Sequence, residues 1–229
     1  YNEYGLYQSS TGNASLAESK INNCSSYGVY SSGGKLSLTQ MDITRCSYGV
    51  YSSNAQLTLK NSLIYRNTSY GLYIYTSNAT ADALIDHNTI AYNSSYGVYF
   101  YRSSTTYGKT TKFQNNIVVG NGGTSSSGYE LYANYYAPAT CSHNIFWDKQ
   151  GTTTYYRYSP YCTNTIVFNP LFVDEAKDDY RIYDRSHARK AAYDGTDIGA
   201  LQWANHKTGV LHGKLTQDLT LSAGTHSVP

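Results

Sequence analysis

The chain has 229 residues, with 17 Lys and Arg against 15 Asp and Glu and a formal net charge of +2. That balance supplies no electrostatic footprint for nucleic acid, and no apolar run is long enough to span a bilayer. Tyrosine accounts for 27 residues and charged residues for only 14%, which excludes a helix bundle and points to a β protein with an uncharged Ser, Thr, Asn and Tyr surface.

The first residue is Tyr, with no basic and apolar leader after it, so a mature product or a piece of a longer protein is expected. Tyr4-Gly5-Leu6-Tyr7 then recurs as Tyr27-Gly28-Val29-Tyr30, Tyr48-Gly49-Val50-Tyr51, Tyr70-Gly71-Leu72-Tyr73 and Tyr96-Gly97-Val98-Tyr99, with a degenerate copy at Tyr129-Glu130-Leu131-Tyr132. Between these copies lies a second series, Ile21, Ile43, Leu63, Ile90, Ile117, Ile145 and Ile166, which the spacing assigns to the core. Two short strands per repeat of about 22 residues, bounded by Ser, Asn and Gly, suit one coil of a solenoid. The expected fold is all-β, a right-handed parallel β-helix of roughly seven coils over residues 1–173. Ser/Thr/Gly-rich stretches at 76–82, 102–111, 121–128 and 149–160 are expected as loops on one side.

Cysteine spacing agrees with stacked coils. Cys24 and Cys46 each follow an Ile of the second series by three residues, and Cys141 and Cys162 each precede one by four. Equivalent positions on adjacent coils lie within reach of a disulfide, so Cys24–Cys46 and Cys141–Cys162 bonds are expected, and with them an oxidising, extracellular or cell-surface location. The alternative is four free buried thiols in matched slots.

With the coil motifs, the stretch Asn169-Pro170-Leu171-Phe172-Val173-Asp174, followed by Asp179-Tyr180-Arg181-Ile182 and Asp197-Ile198-Gly199-Ala200, resembles the secreted right-handed parallel β-helix proteins. That group includes pectate-lyase-like enzymes and many large bacterial surface proteins. The resemblance implies a closing segment over 174–203, in which Arg185-Ser186-His187-Ala188 replaces the usual Gly-Ser-Pro-Ala. A hinge and strand-like tail follow at 204–229, read as the start of another module or a donor strand for a neighbouring subunit.

Strand alternation places Tyr7, Tyr30, Tyr51, Tyr73, Tyr99 and Tyr132 in an outward column, and the Tyr4, Tyr27, Tyr48, Tyr70, Tyr96 and Tyr129 column at a corner with core parity. The outward column serves either as a structural stack or as an interaction face for glycan or protein. Lyases of the resembling group use a Lys or Arg base, often beside a carboxylate-bound calcium, but carboxylates in the coils are sparse. No cofactor or metal is expected. Lys60 and His87, each three residues before a member of the second series, are the weak catalytic candidates. The mixed charges of 174–197 are expected to cover the end of the solenoid. Five sequons, at Asn13, Asn23, Asn67, Asn78 and Asn93, offer glycosylation sites.

The leading expectation is a non-catalytic extracellular structural or adhesive solenoid. Its partners are further modules or copies of itself, assembled head to tail through terminal strands. The alternatives are a polysaccharide lyase and a glycan-binding module using the tyrosine ladder. No nucleic acid or membrane span is expected.

Overall fold

Each repeat folds into three short strands, one more than the motifs show, and every strand pairs in parallel with its equivalent one repeat away. The computed structural model describes residues 2–9, 12–78, 80–104, 110–123, 128–133, 140–148 and 162–200, and the backbone of 156–157. The first sheet has seven strands, opening with Tyr4–Ser9 and Tyr27–Ser32 and ending at Tyr129–Ala133 and Tyr156–Arg157. The second sheet has six, from Asn13–Ala17 and Lys35–Thr39 to Thr140–Ser142, and the third six, from Lys20–Asn22 and Asp42–Thr44 to Ile145–Trp147. Six coils are complete, and the seventh carries single bridges at Thr163 and Ile166 besides its first-sheet strand.

Inward side chains stack in columns. Val29, Val50, Leu72, Val98 and Leu131 on the first sheet meet Leu38, Leu59, Ile85 and Phe113 on the second and Ile43, Ile64, Ile90, Val118 and Phe146 on the third. The third-sheet register corrects the second sequence series. Ile21, Ile43 and Ile90 share the inward column with Ile64, whereas Leu63, Ile117, Ile145 and Ile166 face outward, one residue earlier. Loop placement also differs from expectation: the segment beginning at Ser77 leaves the first sheet toward the second, while 121–123 follow the third sheet; most of the loops expected at 102–111, 121–128 and 149–160 lies outside the described residues.

Two corners are tight turns built on left-handed residues. Glu18, Gln40, Asn61, His87, Asn115, His143 and Asn164 hold φ between 48° and 57° where the second sheet turns into the third. Asn23, Arg45, Arg66 and Tyr92 do the same, with φ between 50° and 57°, where the third turns into the first. Such backbone is costly for a side-chain-bearing residue. Here the inter-coil ladder holds it in place, since the amides of Gln40, Asn61 and His87 each donate to a carbonyl of the next coil.

Beside each corner runs a polar ladder inside the solenoid. Cys46 N–H donates to Asn67 Oδ1, Asn67 N–H to Asn93 Oδ1 and Asn93 N–H to Asn121 Oδ1, at 2.9–3.0 Å. A second ladder runs through Ser62, Asn88, Asn116 and Asn144 in the same way. Buried backbone donors that cannot reach a strand partner are thereby satisfied.

The closing segment packs against the side of the third sheet and not over the end of the solenoid. Phe172–Asp174 pairs antiparallel with Asp179–Ile182, and Phe172, Tyr180, Ile182, Ala188, Ala192 and Ile198 cover the outward Tyr65, Ala91, Ile117, Val119 and Ile145. Those outward positions are apolar because they form a second core. Arg66 fastens the segment, donating to Asp178 Oδ1 at 2.5 Å and to the Glu175 carbonyl at 2.9 Å. The tail of 204–229 lies outside the described residues. No helix among the described residues is long and apolar enough to cross a membrane.

Candidate functional site

The first sheet carries two tyrosine columns on its outer face. In Tyr48-Gly49-Val50-Tyr51 a Cβ on Gly49 would point inward, 2.5 Å from the Gly71 carbonyl oxygen and 2.6 Å from the Ile64 methyl. Gly49 and Val50 therefore both face the core, alternation breaks, and Tyr48 and Tyr51 both emerge outside. This corrects the corner position expected for the Tyr4, Tyr27, Tyr48, Tyr70, Tyr96 and Tyr129 column.

Tyr7, Tyr30, Tyr51, Tyr73, Tyr99 and Tyr132 stack with centroids 4.8–5.3 Å apart and planes within 12°. Tyr4 through Tyr129 stack at 5.0–6.0 Å, and the columns meet edge to face within most coils, as at Tyr48 and Tyr51. Tyr7 is 57% exposed, whereas Tyr30, Tyr51, Tyr73, Tyr99 and Tyr132 are half-buried. Ring faces are taken up by neighbouring rings, leaving edges and hydroxyls to solvent. Burial, followed by repulsion from Tyr99 and Tyr51, pushes Tyr73 up to about 12, and Tyr51, Tyr70 and Tyr99 move in the same direction.

A groove of about 1040 Å³ runs along the corner between the second and third sheets. One edge is the row of left-handed corner residues Glu18, Gln40, Asn61 and His87, one per coil. Lys20, Asp42 and Leu63, outward on the third sheet, form its floor, and Asp194, Thr196 and Ala200 of the closing segment its far wall.

Lys60 and His87 both line this groove, but they are not stacked on each other. Lys60 is in register with Asp86, whose Oδ2 lies 3.8 Å from its ammonium, and His87 follows Asp86 in the chain. The three-residue spacing that paired them counted from Leu63, which is outward, and Ile90, which is inward. Asp86 is the centre of the cluster. Its Oδ1 meets His87 Nδ1 at 2.8 Å and accepts from Asn115 Nδ2 at 2.9 Å. Burial works to raise the Asp86 pKa, but hydrogen bonds from His87 and Asn115 outweigh it and hold the carboxyl below its ordinary range. On the other side of the imidazole, Nε2 lies 2.9 Å from Thr196 Oγ1 and 3.6 Å from Asp194 Oδ1. Sequence reasoning missed Asp86, Asp194 and Thr196. Asp86 was legible as the neighbour of His87, whereas the other two reach the site only through the lateral packing of the closing segment.

Cys141 and Cys162 form a disulfide. Cys24 and Cys46 stack in register but are free, buried thiols, which corrects the first expected bond. They occupy the ladder slot that Asn67, Asn93 and Asn121 fill in later coils: the Cys24 amide donates to Cys46 Sγ at 3.4 Å, and the Cys46 thiol to the Thr44 carbonyl at 3.4 Å. Each sulfur is thus engaged in capping backbone. Asn67 and Asn93 are wholly buried, so these two sequons are closed to modification, while Asn13, Asn23 and Asn78 are exposed. Among the described residues no group of three or more His, Cys, Asp or Glu is placed to hold a metal ion.

Glu130, which replaces the motif glycine in the sixth copy, points into the solenoid and ends the ladder by accepting from Asn121 N–H at 3.1 Å and Asn121 Nδ2 at 2.6 Å. Burial drives its pKa well above the carboxylate range.

A family model described as a right-handed β-helix region matches residues 1–169. No curated protein matches the chain.

Proposed function

We propose that this chain, which belongs to the right-handed β-helix family, is a non-catalytic extracellular scaffold with an adhesive role. The observation that carries the scaffold part of the reading is the double tyrosine stack, continuous over six coils. At about 0.5–1.5 kcal/mol per stacked pair beyond area burial, the five contacts of the outer column alone approach the net stability of an ordinary domain. Residues spent in this way stiffen an axis, and their covered ring faces offer little to a sugar ring. The Cys141–Cys162 bond suits an oxidising compartment.

The test is incubation with uronate and neutral polysaccharides, following unsaturated products and new reducing ends. Neither should accumulate, and turnover that disappears in Lys60→Ala would overturn the proposal. The groove cluster favours a second reading, a polysaccharide lyase using Lys60 or His87. Against uronate as its substrate stand the four carboxylates of the groove, Glu18, Asp42, Asp86 and Asp194, facing two ammonium groups, Lys20 and Lys60.

A further inference from the structure

We propose that Tyr7 and Tyr101 are sites of oxidative cross-linking between copies of this chain, fed by the tyrosine columns around them. A peroxidase-class one-electron oxidant removes electrons from the array, and the resulting holes pass from ring to ring to these two positions. The chain is the substrate of this chemistry and not its catalyst, so the inference goes beyond the scaffold reading and leaves it in place.

Every ring of the two columns stacks on its equivalent one coil away, with centroids 4.8–6.0 Å apart. Edge contacts of 5.0–5.9 Å join the columns within the first five coils. Electron exchange falls off steeply with separation, and like rings differ little in oxidation potential, so a hole placed on one ring is shared along the array. A shorter stack, Tyr75 on Tyr101 at 5.5 Å, extends it sideways. Those two rings share the outer face with Tyr73 and Tyr99, two residues or about 7 Å further along the strands.

A hole is trapped as a phenoxyl radical when the phenol loses its proton. Burial holds the phenols of Tyr51, Tyr70, Tyr73 and Tyr99 against proton loss, so these rings pass the hole on. Tyr7, 57% exposed, and Tyr101, 39% exposed, open to water that takes the proton. Two phenoxyl radicals then join carbon to carbon, each ortho to its oxygen, and the two displaced ring hydrogens restore the hydroxyls. Each bond releases two electrons and two protons. With hydrogen peroxide as the terminal oxidant of a haem peroxidase, one peroxide takes up both and becomes two waters. Stacked neighbours meet face to face and do not offer the edge-on approach this bond needs, so it forms between copies.

Tyr193 supplies the internal control: at 75% it is more exposed than any ring of the array, but its ring meets His143 and not another tyrosine. The experiment treats the full chain with a haem peroxidase and hydrogen peroxide, follows dityrosine fluorescence and covalent dimers, and locates the bonds by peptide mass spectrometry. Tyr7 and Tyr101 are expected to carry more cross-links than Tyr193, and Tyr193→Phe should leave their yield unchanged. The double variant Tyr48→Phe with Tyr51→Phe keeps the rings stacked, but phenylalanine is far harder to oxidise. Tyr7 then draws only on Tyr4, Tyr27 and Tyr30, so its cross-linking should fall while that of Tyr101 persists, with the melting temperature unchanged. Cross-linking led by Tyr193, an undiminished yield at Tyr7 in the double variant, or no dityrosine at all would each overturn the inference.

Discussion

Asn93→Ala is the most informative perturbation of the solenoid. The Asn93 side chain makes four hydrogen bonds: Oδ1 accepts from Asn67 N–H at 3.0 Å and Asn67 Nδ2 at 2.9 Å, and Nδ2 donates to Ile64 O at 3.2 Å and Asn121 Oδ1 at 2.8 Å. Truncation leaves the Asn67 amide, part of its carboxamide and the Ile64 carbonyl without these partners in a fully buried slot, while Asn121 Oδ1 keeps the Asn93 amide. Stranded buried polar groups cost about 1–3 kcal/mol each, so the three together give a loss of roughly 3–9 kcal/mol. Urea unfolding at constant pH reads it directly. Asn93→Cys should cost less than Asn93→Ala, because the same slot holds Cys24 and Cys46, where sulfur accepts the amide. Asn13→Ala, on an exposed strand position, should cost about 0.5 kcal/mol or less. If Asn93→Ala were as mild as Asn13→Ala, the ladder would not be holding the coils together.

Three further outcomes follow from the same geometry. Unreduced protein should contain two free thiols that react with an alkylating reagent only after unfolding, since burial pushes the Cys46 thiol up to about 12; finding no thiol in the unfolded, unreduced chain would restore the Cys24–Cys46 bond. Glu130 has a folded pKa above its unfolded value, so the stability it contributes is present below the ordinary carboxylate range and lost as pH rises through the folded pKa. Glu130→Gln should therefore gain on the parent as pH is raised from 4 toward 8 in urea titrations, and a widening deficit would contradict the buried placement. Gly49→Ala forces a methyl to within 2.5 Å of the Gly71 carbonyl, a backbone atom with little freedom to yield, and should cost on the order of 3 kcal/mol by thermal unfolding; an unchanged melting temperature would mean that the coil does not turn inward there.

The coil period was legible because tyrosine and glycine are each forced at one point per turn: Gly49 by close approach to the next backbone, Tyr51 by stacking. Strict alternation then misplaced the Tyr48 column, since nothing in a Tyr-Gly-Val-Tyr string announces that Gly and Val face the same way. The third sheet was harder. Its strands are three residues long and apolar on both faces, as in Ile117-Val118-Val119, so inward Val118 and outward Ile117 look alike in sequence. Recognising what covers the outward face requires contacts more than a hundred residues apart in sequence, such as Arg66 with Asp178. The cysteine register was legible, but the chemistry was not: matched slots hold a bond at Cys141 and Cys162 and ladder thiols at Cys24 and Cys46.

Stacking itself is tested most directly by cross-linking. Ser37 and Thr58 are register partners on adjacent coils of the second sheet, whereas Lys60 is the partner of Thr39. The double variant Ser37→Cys with Thr58→Cys should close a disulfide on mild oxidation with the melting temperature retained or raised, and Ser37→Cys with Lys60→Cys should not. Efficient closure of the second pair but not the first would contradict the coil register on which the tyrosine columns, the polar ladders and the corner groove depend.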